Sequence, residues 1–134
     1  MLEQETSHCI RNLRIDADGI LSADFLFPVD YTGFKGHFPG KPVLPGVCLV
    51  QAALAAHRQG RNRSARLREI VSAKFWAAVQ PDTPVHLVCR ESAESDGTVL
   101  IKARVDASDK KVAEIWLKAS GAQPAASRSE PAAG

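Results

Sequence analysis

The feature that most constrains this chain is the run Gly46-Val47-Cys48-Leu49-Val50-Gln51-Ala52-Ala53-Leu54-Ala55-Ala56, apolar at every position except Gln51. A helix that is apolar all round has no face to give to water and must be buried. Pro45 suits its first turn, where a missing N–H costs nothing. Gly60 suits its C-terminal stop. The spacing therefore predicts a buried helix over 46–59. It is shorter than the roughly 20 apolar residues a membrane span needs, so the rest of the chain has to wrap it. With 134 residues, of which 45% are hydrophobic and 24% charged, the chain has the size and composition of one globular domain.

The wrapping comes from strands. Ser7 to Ile15 and Ile20 to Phe27 flank the turn cluster Asp16-Ala17-Asp18-Gly19 and read as a hairpin. Further strand signals cover 66–79, 84–95, 97–107 and 110–120. Val85-Leu87-Cys89 and Val99-Ile101-Ala103-Val105 alternate with polar neighbours, as half-buried antiparallel strands do, which turns Lys74, Lys102, Arg104 and Lys118 outward. The economical arrangement is α+β, a curved antiparallel sheet wrapped around a long central helix. So small a sheet cannot cover both this helix and its own edges, so a dimer is expected. The domain is expected over 1–121, with 122–134, mostly Ala, Ser and Pro, as a disordered tail.

The formal net charge is only +2. Arg58, Arg61, Arg63, Arg66 and Arg68 nevertheless cluster just beyond the helix. They read either as a solvated loop or as a docking patch for an acidic partner or a phosphate-bearing ligand. No aromatic residues interleave with them, which argues against nucleic acid. Three widely spaced cysteines, Cys9, Cys48 and Cys89, give neither a disulfide framework nor a zinc site, and Cys48 reads as a buried thiol. The acidic start Met1-Leu2-Glu3-Gln4-Glu5 lacks an apolar signal core, so a cytoplasmic protein with no membrane association is expected.

The chemistry concentrates between Phe34 and Val47, in a loop dense in Gly and Pro. His37 there could serve as a general base, although a lone loop histidine is more often a structural hydrogen-bonder. The loop feeds the N-terminus of the buried helix, whose first N–H groups have no helical partner and can hold a carbonyl oxygen. Gly46 lets a ligand approach that backbone closely. A base beside a carbonyl-polarising helix end suits chemistry at the carbon next to a thioester carbonyl.

This segment closely resembles the signature of the hotdog-fold 3-hydroxyacyl-acyl-carrier-protein dehydratases of fatty acid synthesis, carried here by Gly36, His37, Phe38, Pro39, Gly40, Pro42, Pro45 and Gly46 in the same spacing. The resemblance covers about residues 7–120 and implies the hotdog fold. It implies that His37 takes the proton from C2 of a 3-hydroxyacyl chain and that the Gly46 N–H polarises the thioester carbonyl. Phe38 and Val47 are then substrate contacts beside them. The family's second catalytic residue is a Glu or Asp on the central helix, facing the histidine across the dimer interface. Gln51 stands at that position here, and an amide cannot donate a proton as a carboxylic acid does. Asp30 and Glu91 are the candidate substitutes for that acid. His57 reads as structural, placed to interact with the helix dipole. Trp76 and Trp116 read as core or interface packing.

The leading expectation is a dehydratase-like protein acting on 3-hydroxyacyl thioesters carried by acyl carrier protein or CoA, in fatty acid or polyketide-type synthesis, needing no metal or organic cofactor. Arg58, Arg61, Arg63 and Arg66 would meet the carrier or its phosphate. The partner chain would be an identical subunit or a related hotdog subunit. The alternatives are a hotdog acyl thioesterase and a non-catalytic acyl-binding partner of an active dehydratase.

Overall fold

The computed structural model describes residues 2–35 and 42–121; His37, Phe38 and the rest of 36–41, and the expected tail at 122–134, lie outside the described residues. The elements run α1 (Leu2–His8), β1 (Ile10–Ile15), β2 (Leu21–Phe25), a short 3₁₀ turn (Thr32–Phe34), α2 (Gly46–Arg61), β3 (Arg66–Phe75), β4 (Val85–Ala93), β5 (Val99–Ala107) and β6 (Lys110–Ser120). The six strands form one antiparallel sheet in the order β1-β2-β4-β5-β6-β3. The chain leaves this sheet at β2 and re-enters it at the far edge, as β3. The connection therefore crosses one face of the sheet, and that connection is α2.

The strand pattern follows the expected alternation. Leu21, Ala23 and Phe25 of β2, Val85, Leu87 and Cys89 of β4, Val99, Ile101, Ala103 and Val105 of β5, and Ile115, Leu117 and Ala119 of β6 are all buried on the inner face. They form one core with Cys48, Leu49, Val50 and Ala52 to Ala56 of α2, apart from Ala55, which is buried outside it. Burying such Leu, Ile, Val or Phe side chains is worth about 1.5–3 kcal/mol each before the entropy cost of ordering them. Lys102 and Arg104 point to the outer face, as expected. Trp116 lies there too, half-buried beneath the Lys102 ammonium at 4.3 Å, so it is not a core residue. Trp76 is 52% exposed.

Two local expectations give way. Residues 2–8 form a helix rather than the start of the first strand, with Glu3 and Glu5 in its first turn, where the positive end of the helix dipole favours them. Thr6 on this helix is buried and shares a 2.6 Å hydrogen bond with the Tyr31 hydroxyl. Gly60 does not stop α2. It lies inside the helix because a Cβ there would collide with Leu21 of β2. The stop is Asn62, in the left-handed conformation at φ 53°, donating its N–H to the Arg58 carbonyl. Asn tolerates that conformation better than most side chains.

The clustered arginines anchor this helix end. Arg63 donates from Nη1 to both oxygens of Glu91 on β4, at 2.8 and 2.9 Å. Arg61 reaches the same carboxylate from Nε at 3.6 Å and donates from Nη2 to the Gly19 carbonyl at 2.7 Å. Arg58 donates to the Ala65 carbonyl at 2.6 Å and to Glu3 of α1 at 3.2 Å. One helix terminus is thus tied to the β1–β2 turn, to β4 and to α1. The side chains of Arg61 and Arg63 are only 10% and 13% exposed. These two do not form the expected carrier patch, because their charge is spent inside the molecule. Arg66 and Arg68 on β3 remain exposed.

His57 sits in the same cluster, 1% exposed, with Nε2 3.8 Å from Glu91. Burial pushes its pKa down to about 4, against the pull of Glu91 and with the push of Arg61, Arg63 and Arg58. It is therefore neutral at neutral pH, and the cations that complement the helix dipole are Arg58 and Arg61 in the last turn. In the unfolded chain His57 takes up a proton near pH 6.5, whereas in the folded chain it does so only near 4. Stability is therefore lost as pH falls through that window, by up to roughly 3 kcal/mol. Urea titrations should show the decline beginning below about pH 6.5. His57→Gln should flatten it above about pH 5, where the carboxylates are still ionised. An unchanged slope in His57→Gln would contradict this assignment.

Candidate active site

The loop that enters α2 is held from both sides. Upstream, the Glu5 carboxylate accepts hydrogen bonds from the Thr32 N–H at 3.1 Å and the Thr32 hydroxyl at 2.6 Å, which hold this carboxyl below the usual range. Phe25, Phe27, Tyr31 and Phe34 follow one another in ring contact at 5.0–6.0 Å between centroids. Downstream, Leu44 donates its N–H to the Val79 carbonyl at 2.8 Å. Thr32 is therefore fastened to α1 and Leu44 to the β3–β4 connection.

Pro45 occupies the N-cap position of α2 and makes no side-chain cap, so the first N–H groups of the helix have no side-chain acceptor there. Beside them lies a cavity of about 470 Å³. Leu44, Gly46, Leu49, Phe75, Trp76 and Val79 line it, so its wall is apolar and partly aromatic. Cys48 donates its N–H to the Pro45 carbonyl at 2.9 Å, so the first-turn donors left beside these apolar walls are the N–H groups of Gly46 and Val47.

Gly46 is constrained by its neighbour. A Cβ at this position would lie 2.8 Å from Cζ and 3.0 Å from both Cε atoms of Phe75, so the tip of that ring points at the glycine. The ring fills the space that a side chain at Gly46 would take. Sequence reasoning missed Phe75. Its signal was weak, since it reads as one more apolar residue at the end of a strand.

Val47 is 58% exposed and Gln51, one turn further on, is half-buried. Spaced i and i+4, they share an open strip of α2 near its start. Gln51 is thus not an amide satisfied within the core of its own chain. Neither acid considered as a substitute stands with it. Glu91 is held by Arg61 and Arg63 at the other end of α2. Asp30 is exposed and borders a separate recess of about 210 Å³ with Glu5, His8 and Tyr31. The thiols are out of play as nucleophiles. Burial pushes Cys48 up and Cys89 up to about 12.

The contact between Gly46 and Phe75 can be tested without substrate. Gly46→Ala should destabilise the protein by about 1–3 kcal/mol through overpacking. In a Phe75→Leu background the same change should cost less, giving a coupling of at least about 1 kcal/mol in a double-mutant cycle read by urea unfolding. Additive costs would mean that the two residues do not touch.

Three comparisons place the chain among known proteins. The family model described as ApeI-like, ApeI dehydratase, matches residues 14–115. The 3-hydroxyacyl-[acyl-carrier-protein] dehydratase FabZ of Rickettsia massiliae (strain Mtu5) is 32% identical over 123 residues, covering 81% of this chain and 85% of that protein. The protein of the same name from Rickettsia rickettsii (strain Sheila Smith) is 35% identical over 85 residues, 58% of this chain and 59% of that one. Among solved structures, the dehydratase heterocomplex ApeI:P from Xenorhabdus doucetiae superposes with a TM-score of 0.72 at 21% identity, covering 83% of this chain and 96% of that chain. That similarity establishes the hotdog fold. With the family model spanning most of the domain, the chain belongs to the ApeI-like dehydratase family of hotdog proteins.

Proposed function

We propose that the protein removes water from 3-hydroxyacyl thioesters, presented on acyl carrier protein or CoA in fatty acid or polyketide-type synthesis in the cytoplasm. The observation that carries this reading is the uncapped start of α2 opening beside an apolar, aromatic-lined cavity. The carbonyl oxygen is held at Gly46, which makes the C2 proton more acidic and stabilises the enolate-like charge as the C2–H bond breaks. His37 accepts that proton, the C2=C3 bond forms, and the C3–O bond breaks. The departing hydroxyl needs one proton to leave as water. Gln51 cannot supply it, so His37 returns the proton it took and ends neutral, while the Gln51 amide hydrogen-bonds the hydroxyl and orients it. Phe38 and Val47 bracket the acyl chain.

The working unit is a dimer. β3 is an edge strand of 10 residues, nearly all of them exposed. It carries Leu67, Ile70, Val71 and Phe75, each 37–47% exposed, and Trp76 and Val47 extend the strip. A long apolar edge of this kind is an association surface. A partner seated there lies beside the open strip of α2 that holds Gln51. Ile70→Lys should convert the dimer to monomer in light scattering and abolish turnover. A variant that stays dimeric and active would overturn this arrangement. Arg66, with Arg68, is the exposed part of the arginine cluster left to meet a carrier or a phosphate.

Gln51 also favours a second reading, in which the partner is a related hotdog subunit that supplies a carboxylic acid to His37. The decisive assay offers 3-hydroxyacyl and acyl thioesters, carrier- and CoA-linked, to the wild type, His37→Ala and Gln51→Glu. Loss of water in the wild type, falling by at least about 100-fold in His37→Ala, supports the dehydratase. Release of free thiol instead would overturn it in favour of a thioesterase. Activity that appears only in Gln51→Glu, or only with a second subunit, assigns the missing acid to a partner.

A further inference from the structure

We propose that Phe75 decides what the site accepts at C2 of the acyl chain, admitting 3-hydroxyacyl thioesters unbranched at C2 and excluding those with a methyl group or larger there. The inference rests on the reading that Gly46 holds the thioester carbonyl. A carbonyl oxygen accepting a hydrogen bond from that N–H lies about 2.9 Å from the nitrogen. C2 is bonded to the carbonyl carbon and is therefore within a few ångströms of Gly46. The tip of the Phe75 ring is directed at the same glycine, 2.8 Å from where its Cβ would stand. A substituent at C2 needs about 4 Å to the nearest carbon, and on this side of the helix the ring has already taken that space.

The ring is anchored by the sheet. Phe75 is the last residue of β3, paired in register with Ala113 of β6. The next residue, Trp76, donates its N–H to the Val112 carbonyl at 2.8 Å, and its own ring lies 4.4 Å from the Lys111 ammonium. The backbone that aims Phe75 is thus held to β6 at two successive residues, and the reach of the ring to Gly46 follows from sheet geometry, not from a loose loop. Beyond C3 the constraint relaxes. The cavity continues along Leu44, Leu49 and Val79, all apolar, so the discrimination falls at C2 and not along the tail.

The test compares a 3-hydroxyacyl thioester with its 2-methyl counterpart on the wild type, Phe75→Leu, Phe75→Ala and Trp76→Leu. Comparing ratios of kcat/KM between variants cancels the lower intrinsic acidity of a branched C2. Wild type should prefer the unbranched substrate by at least about 10-fold, the usual weight of one misplaced methyl group. That preference should shrink by at least about 5-fold in both Phe75 variants and persist in Trp76→Leu, because the Trp76 ring lies against Lys111 and the atoms nearest the Gly46 Cβ position are all from Phe75. An unchanged ratio in the Phe75 variants, or an equal loss in Trp76→Leu, overturns the inference.

A binding arm separates this inference from the reading beneath it. Ketone analogues, with a methylene in place of the thioester sulfur and with or without a C2 methyl group, are titrated by calorimetry. Wild type that turns over neither substrate, yet binds the unbranched ketone preferentially and loses that preference in Phe75→Leu, overturns the dehydratase reading and supports the role of Phe75. Binding without discrimination overturns the role of Phe75 alone. Binding of neither ketone overturns both. Thermal melts of each variant identify any that fails to fold, and Phe75→Leu is the milder of the two Phe75 changes.

Discussion

Everything in this fold answers to the burial of α2. Its sequence leaves water almost no face to contact, so one flank packs on the sheet and another on α1, and the chain must cross the sheet to place it. The crossing has two ends, and the molecule treats them differently. At the C-terminal end, Glu91 gathers Arg61 and Arg63 around a neutral, buried His57. Buried charges of this kind are tolerated because each is paired, and they fix the position of the helix more than they add stability. At the N-terminal end there is no such closure among the described residues. A proline cap, an uncapped first turn and an apolar cavity leave the helix dipole facing outward.

That asymmetry separates structure from chemistry. The end tied by ion pairs holds the helix still, and in the proposed function the open end offers its donors to the thioester carbonyl. Phe75 sits at the junction of the two demands. Its ring packs on Gly46, which keeps the helix close to the end of β3, and it is also a wall of the cavity. A glycine that admits close approach of a ligand and a glycine required by an aromatic neighbour are the same residue here. If the proposed function holds, packing and catalysis constrain each other at this one contact.

Much of this was legible in the sequence. The all-apolar run from Gly46 to Ala56 placed the helix, and the alternation in 85–89 and 99–105 placed two strands and their buried faces. The Pro- and Gly-dense segment placed Pro45 at the start of the helix. What escaped depends on contacts between residues far apart in the chain. Gly60 reads as a helix stop, but its role is set by Leu21, which lies 39 positions away. The arginines from Arg58 to Arg68 read as surface charge, because nothing local reveals that Glu91 waits on another strand to pair with two of them. The first helix was hidden by its short length, seven residues, and by the reading of Ser7 to Ile15 as a strand. Phe75 was invisible for the same reason as Glu91. Its importance lies in what faces it.

The central claim is that the open end of α2 holds a thioester carbonyl while a base removes the C2 proton. Proton NMR of a 3-hydroxyacyl thioester incubated with the protein in D₂O tests it most directly, because elimination and its reversal both pass through C2. The account predicts growth of vinylic enoyl signals together with deuterium entering C2 of the hydroxyacyl pool, both lost in His37→Ala. A C2 proton that stays in place while free thiol accumulates would contradict it.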